Sequence, residues 1–381
     1  MITKQLKIIA DQNIPHVTEL FGAWGEVVQL PGRSIAQQHL VDADILLVRS
    51  ITRVNQNLLQ HSRIKFVGSG TAGTDHMDLT WLQNNHISYA TAKGCNAIAV
   101  AEYVVCSIAA LQKQGLLTGK KLRAGVVGVG YVGREVVTRL KALGFEVLVN
   151  DPPRALQEPD FISMPLTDFQ DLDLICLHTP LTTSGDHATH HLINQDFLQR
   201  QKPGCVLLNA GRGEVIAVED LWHYGQHLLW CFDVWPDEPN ISVALLHQAK
   251  LATPHIAGYT VEAKLRAVHM LYQAAQLALQ LPGQSILPSP FDGTTELKLA
   301  SAVLTWQDIL LSHYNPLLDT ENTRSTLLAC NSTARGQCFD ELRQHHPQRH
   351  ELSKVHILLA GTPLPLFDSA VLQQLGFVAP H

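Results

Sequence analysis

The sequence predicts an α/β protein: two doubly wound parallel-sheet domains followed by a small α+β carboxyl-terminal domain. Three observations carry that expectation. The amino-terminal part alternates short apolar runs with helix-like stretches, and the same rhythm restarts after a long segment with an apolar face. A Pro/Gly/Ser-rich stretch, LPGQSILPSP (281–290), then sets off a tail of about ninety residues, enough for a small domain.

In the first part the runs KIIAD (7–11), EVVQL (26–30), DILLVRS (44–50) and KFVGSG (65–70) end in polar or Gly-rich turns, with helix-like stretches such as Gln56 to Gln60 between them. Short apolar strands alternating with helices specify a parallel sheet covered on both faces. A ligand on such a sheet sits at the carboxyl ends of the strands. From Asn96 to Gln114, NAIAVAEYVVCSIAALQKQ keeps an apolar face at helical spacing without Gly or Pro, which predicts one long helix and a domain junction near residue 100.

The second part begins with RAGVVGVG (123–130), continues through the helix-like VGREVVTRLKALG, and adds the runs EVLVND (146–151), DLICLHTP (173–180) and CVLLNAGRG (205–213). After PHIAG (254–258) a helix-like run from Thr260 to Gln280 leads away. The expected domains are 1–98, with 260–285 packing back onto it, then 99–259, then 286–381. In the tail, KLASAVLTWQDILLSHY and QCFDELRQHH look helical and KVHILLAG looks like a strand.

Composition narrows the class. A chain of 381 residues with 46% hydrophobic and 16% charged residues is globular, and its length calls for two or three compact units. The net charge of −6, without a Lys/Arg block, gives no electrostatic footprint for nucleic acid or an anionic membrane. MITKQLKIIADQNIP meets Asp11 at once and reads as a first strand rather than a signal peptide, and no apolar stretch approaches the roughly 20 residues of a membrane span. The expected compartment is the cytoplasm. The seven cysteines (95, 106, 176, 205, 231, 330 and 338) lack any CxxC or Cys/His ligand spacing. They read as reduced core residues, and no metal site is expected.

Gly128, Gly130 and Gly133 form GxGxxG directly after an apolar strand and at the start of a helix. In that setting the first glycine makes the tight turn, the second lets the backbone approach a pyrophosphate, and the third lets helix pack on strand. Free N–H groups at the helix start face the phosphates. Asp151 ends the next strand, where a carboxylate accepts from the adenosine ribose hydroxyls and repels a 2'-phosphate, so NAD is expected rather than NADP. This makes the domain Rossmann-like, and the same doubly wound architecture is expected of the first.

Moving a hydride to or from a small 2-hydroxy acid needs a cation for the carboxylate, a base for the hydroxyl proton and a group that orients the base. Arg212 in NAGRG, with room left by flanking glycines, suits the first task. His255 in PHIAG suits the second, and Glu238, in the Pro-rich loop DVWPDEP, the third.

The ordered set GxGxxG, Asp151, NAGRG, DVWPDEP and PHIAG resembles the D-isomer-specific 2-hydroxyacid dehydrogenase family over roughly residues 5–280. The resemblance implies that Arg212 binds the substrate carboxylate and 2-oxo group, that His255 is the acid/base and that Glu238 is its hydrogen-bonding partner. It also implies that Thr179 (in HTPLT) and Asp233 (in CFDVW) face the cofactor, that Gly258 lies close to it, and that Tyr131 and Val132 meet the pyrophosphate through their backbone.

DQNIP (11–15), VRSITRVN (48–55), VGSGTAGTDHMD (67–78), CFDELR and LGF resemble a branch of the family that acts on a phosphorylated 2-hydroxy acid early in a route to pyridoxal phosphate. The resemblance thins beyond residue 290. It implies substrate contacts by Ser50, Thr71 and Tyr259, and a homodimer formed through the carboxyl-terminal domain. Arg49 joins the substrate contacts on charge complementarity alone. Two alternatives stand beside this reading: a 3-phosphoglycerate dehydrogenase or another member of the family, and a non-catalytic NAD-sensing module.

Overall fold

The computed structural model describes residues 5–283, 293–299, 305–359 and 366–377. Two compact units emerge: residues 1–96 with 260–292, and residues 97–259 with 293–381. Most of the Pro/Gly/Ser-rich linker and the expected boundary at residue 286 lie outside the described residues.

The first unit holds five parallel strands, β1 (Leu6–Asp11), β2 (Gly25–Leu30), β3 (Ile45–Val48), β4 (Phe66–Ser69) and β5 (Ser88–Thr91), in the order β2-β1-β3-β4-β5. β3 and β4 are buried along their whole length, as expected of strands covered on both faces. The helix Val261–Leu279, N-capped by the Thr260 side chain, closes one face. Its Val268, Leu271 and Tyr272 pack with Ile8, Phe21 and Phe66, and each such burial contributes about 2 kcal/mol. Trp24 stacks on Tyr272 at 4.4 Å, and its indole N–H donates to the Pro282 carbonyl.

The second unit repeats the plan with β6 (Arg123–Val127), β7 (Glu146–Asn150), β8 (Leu174–Leu177), β9 (Val206–Asn209), β10 (Leu229–Phe232) and β11 (Leu251–Ala252), all parallel, in the order β11-β10-β9-β8-β6-β7. The chain reverses direction of growth between β6 and β8, and that switch point is where open parallel sheets take ligands. The expected long helix is Ala97–Lys113, buried on almost every side rather than along one stripe.

The tail explains that all-round burial. Trp306, Ile309, Leu310, Val355, Ile357 and Leu372 share one hydrophobic cluster with Ala101, Val105 and Ile108 of the long helix. A further strand pair, β12 (Thr295–Leu299) and β13 (Val355–Leu359), runs parallel. Lys298 and Leu299, expected to start a helix, therefore lie in a strand: TELKL alternates polar and apolar residues, and the helix itself spans Trp306–His313. Residues 300–304 lie outside the described residues, as do the last residues of KVHILLAG.

One expectation is corrected. Cys330 and Cys338 are joined by a disulfide rather than sitting as reduced core residues. The turn between the helices Pro316–Ala329 and Arg335–Gln344 brings the two half-buried sulfurs together, without a motif that spacing could reveal. The other five cysteines are buried thiols. Among the described residues no helix is long and apolar enough to cross a membrane, and no group of three or more His, Cys, Asp or Glu is placed to hold a metal ion.

Candidate active site

The carboxyl ends of β6, β8, β9, β10 and β11 carry the candidate residues of the second unit in succession. Gly128 follows β6 with φ of +84°, and a Cβ there would stand 2.8 Å from the backbone nitrogen of Thr179, which follows β8. Only glycine satisfies both conditions. A Cβ on Gly133 would meet the Gly128 carbonyl oxygen at 2.1 Å, which is the close helix-strand packing its place in the motif demands. Gly130 differs: nothing lies within 4 Å of its Cβ position. It caps the helix Tyr131–Ala142, so open space faces the free N–H groups of the first turn, including those of Tyr131 and Val132.

That cradle fits the pyrophosphate of a dinucleotide. The buried Thr179 hydroxyl beside Gly128 makes no hydrogen bond among the described residues. The ring nitrogens of His178 next to it are buried without a hydrogen-bond partner among the described residues, and burial pushes the ring down to about 3, so it carries no charge there.

Asp151 is committed to holding the loop. One carboxylate oxygen accepts from the Val129 N–H at 2.7 Å and the other from the Arg154 N–H at 3.0 Å, capping the short helix Pro152–Ala155. The helix-cap role and the place at the end of β7 thus coexist.

The loop that carries His255 hangs on Asp233, which is buried after β10. Its carboxylate accepts from the Thr253 hydroxyl (2.6 Å) and from the N–H groups of Ile256 (2.8 Å) and Ala257 (3.0 Å), while its carbonyl accepts from the His255 N–H (2.7 Å). These bonds hold His255 at φ of +56°, in the left-handed region. The structure therefore shows Asp233 as the anchor of the histidine loop, with both oxygens occupied by protein donors. Tyr103 extends the network by a hydroxyl contact to Thr253 at 2.8 Å.

His255 Nδ1 lies 2.7 Å from Glu238 Oε2, and Glu238 Oε1 accepts from the Trp235 N–H at 2.8 Å. Burial alone would raise the Glu238 carboxyl, but His255, Arg343 and the Trp235 N–H outweigh it and hold the group below the usual range. An ionised carboxylate only accepts, so Nδ1 carries the proton in this pair and the neutral ring keeps a lone pair on Nε2. The imidazole stays about one third exposed, which leaves the ring open to proton exchange.

Arg212 leaves β9 in a loop where Asn209 ties the turn: its amide donates to the Arg212 carbonyl (2.8 Å) and its oxygen accepts from the Gly211 N–H (3.0 Å). A Cβ on Gly213 would strike the Trp235 backbone at 2.1 Å, so this glycine lets the arginine loop lie directly against the Glu238 loop. β9, β10 and β11 are neighbours in the sheet, so the loops carrying Arg212, Glu238 and His255 emerge side by side.

Gly258 and Tyr259 end the same loop. Tyr259 has a neighbour that sequence reading missed: Arg343, on the tail helix Arg335–Gln344, sits with its guanidinium carbon 5.8 Å from the Tyr259 ring. It is largely enclosed, with 11% of its side chain exposed, and its charge acts on Glu238. No motif marks it, because it reaches the site through tertiary packing of the tail.

In the first unit Arg49 and Ser50 follow β3, and Thr71 follows the adjacent β4. Ser50 is exposed, and the Thr71 hydroxyl lies 2.9 Å from that of the buried Ser69, which also contacts His76 Nε2 at 2.9 Å. His76 stood within a quoted motif, VGSGTAGTDHMD, yet only the contact singles it out.

Comparison with known proteins bears on the family and the fold. The model of the D-isomer specific 2-hydroxyacid dehydrogenase, NAD binding domain, matches residues 107–257. Proteins named erythronate-4-phosphate dehydrogenase are similar over nearly the full length: one from Coxiella burnetii (strain RSA 331 / Henzerling II) is 44% identical over 94% of this chain and 96% of its own. One from Pectobacterium atrosepticum is 40% identical over 98% of each. Among solved structures, the NAD+-bound 3-phosphoglycerate dehydrogenase of Entamoeba histolytica superposes with a TM-score of 0.60 at 22% identity, covering 74% of this chain and 99% of that one, a likeness of fold. The chain belongs to the erythronate-4-phosphate dehydrogenases, within the D-isomer-specific 2-hydroxyacid dehydrogenase family.

Proposed function

We propose that this chain oxidises 4-phospho-D-erythronate to 2-oxo-3-hydroxy-4-phosphobutanoate, with NAD as hydride acceptor, in pyridoxal 5'-phosphate biosynthesis. The observation that carries the chemistry is the His255–Glu238 pair at 2.7 Å, set on the sheet edge that also bears the glycine cradle. The name and near-complete coverage of the relatives support the substrate.

Bound NAD supplies the acceptor for the hydride leaving C2 of the substrate. Arg212 grips the substrate carboxylate and keeps the 2-hydroxyl oriented. His255 Nε2 takes the hydroxyl proton as the carbonyl forms, and Glu238 balances the imidazolium that results. Gly128, Gly130, Tyr131, Val132 and Gly133 receive the pyrophosphate, Asp151 the adenosine ribose, and Thr179, Asp233 and Gly258 border the nicotinamide end. Ser50, Thr71, Tyr259 and Arg49 contact the phosphorylated substrate. The protein works in the cytoplasm as a homodimer assembled through its tail.

Steady-state NAD reduction with 4-phospho-D-erythronate against 3-phospho-D-glycerate tests the assignment. A kcat/KM favouring 4-phosphoerythronate by at least about tenfold is expected, or about 1.4 kcal/mol of transition-state discrimination. A preference for 3-phosphoglycerate would replace it with the other member of the family.

A further inference from the structure

NAD-dependent folds of this kind keep a carboxylate at the ribose, whereas those that take NADP place an arginine nearby to receive the 2'-phosphate. This chain does both. Arg154 donates from Nη1 to the Val129 carbonyl (3.0 Å), the same residue whose N–H is held by Asp151. Its guanidinium therefore stands at the glycine loop beside the ribose carboxylate, braced by the Phe161 ring at 4.0 Å. Arg134 lies one turn into the glycine-capped helix, its N–H bonded to the Gly130 carbonyl. Two cations thus stand on the glycine loop and the helix it opens, where a 2'-phosphate could draw on them.

Both are taken by one residue. Glu158 Oε2 accepts from Arg154 Nε at 2.9 Å and lies 2.8 Å from its Nη2. The other oxygen, Oε1, pairs with Arg134 Nη2. A carboxylate that forks between two guanidinium groups offsets one of their two charges, occupies donors on both and fixes where they point.

We propose that Glu158 is a cofactor-specificity residue, which reserves Arg134 and Arg154 in ion pairs and so excludes a 2'-phosphate together with Asp151. The proposal rests on the dinucleotide-binding reading of this unit and not on the identity of the substrate. The hydrogen bonds from Arg154 hold the Glu158 carboxyl below its usual range, so the pairs persist throughout neutral pH.

Fluorescence titration of NADH and NADPH in the absence of substrate tests it, on the wild type, Glu158→Gln, Glu158→Lys and the double variant Glu158→Gln/Arg154→Gln. The wild type binds NADH more tightly. Glu158→Gln is expected to shift the affinity ratio toward NADPH by about tenfold, the value of one or two charge-assisted hydrogen bonds at a partly exposed site. Glu158→Lys shifts it at least as far, and adding Arg154→Gln cancels the gain. An unchanged ratio in both single variants, whether the two affinities stay put or weaken together, would overturn the proposal and leave Glu158 as a brace of the loop. If the wild type bound neither nucleotide, the dinucleotide reading itself would fail instead.

Discussion

Replacing Glu238 by Gln removes one charge and one acceptor from a carboxylate that uses both oxygens. Oε2 faces His255 Nδ1 at 2.7 Å and Oε1 faces the Trp235 N–H at 2.8 Å, and both partners are donors in the working state. An amide offers a single oxygen, so either the loop N–H or the imidazole meets an NH2 group. If the imidazole does, Nδ1 must become the acceptor and the proton moves to Nε2, where it blocks the base. If the loop does, a buried N–H is left facing a donor. In either arrangement the imidazolium formed during oxidation loses its counter-charge. A hydrogen bond to a charged group contributes about 1.5–3 kcal/mol, which is roughly 10- to 150-fold in kcat, and the tautomer change adds to that. The assay is steady-state NAD reduction with 4-phosphoerythronate across pH, alongside NADH titration to show that the nucleotide site is intact. A kcat within about threefold of wild type at every pH would refute the role given to this carboxylate.

Arg343→Gln is expected to move the acid limb of the pH-rate profile upward, because Arg343 is one of the charges that keep Glu238 ionised; an unmoved limb would separate the tail from the catalytic pair. Asp233→Asn leaves one of three donors unmatched in a fully buried setting, and calorimetry should show a loss of about 2–4 kcal/mol, whereas an unchanged melting temperature would remove Asp233 as the loop anchor. Glu102, buried in the long helix, is pushed up to about 8 by burial and by Glu351, against the opposing effect of Arg139 and Arg349. A carboxyl raised in the folded state costs stability as pH climbs above its unfolded value, until the folded value is passed. Denaturation should therefore show stability declining between about pH 4.5 and 8, and Glu102→Gln, which retains an acceptor for the Leu352 N–H, should remove on the order of 5 kcal/mol of that decline. A pH dependence identical in the variant would contradict this.

The residues that sequence reading located were those whose chemistry is local. Gly128 and Gly133 each answer a steric demand of the fold and Gly130 leaves open space at the helix start, and those three parts are printed in their spacing. Arg212, Glu238 and His255 follow strand ends, so parallel-sheet topology alone brings their loops to one edge. Asp233 was expected to face the cofactor, and its part as an anchor was not legible, because its donors sit on Thr253, Ile256 and Ala257, some twenty residues away on the far side of a strand. The helix Pro316–Ala329 escaped notice for a different reason. PLLDTENTRSTLLA is rich in poor helix formers, and it is held by tertiary bonds such as Thr320 to the Ala252 N–H and Arg324 to the Leu246 carbonyl. β10, LWCF, has no alternation to betray it because both of its faces are covered. Arg343 and the Cys330–Cys338 bond exist only once the tail has packed.

In the proposed reaction His255 is the group that takes up the hydroxyl proton and releases it again. Its direct test is the pre-steady-state appearance of reduced nicotinamide when His255→Ala, saturated with NAD, is mixed with 4-phosphoerythronate. A fall of about 10²–10⁴-fold in the hydride-transfer rate, with NADH still bound, is expected of a lost acid/base. Transfer at the wild-type rate would contradict the whole assignment of this site.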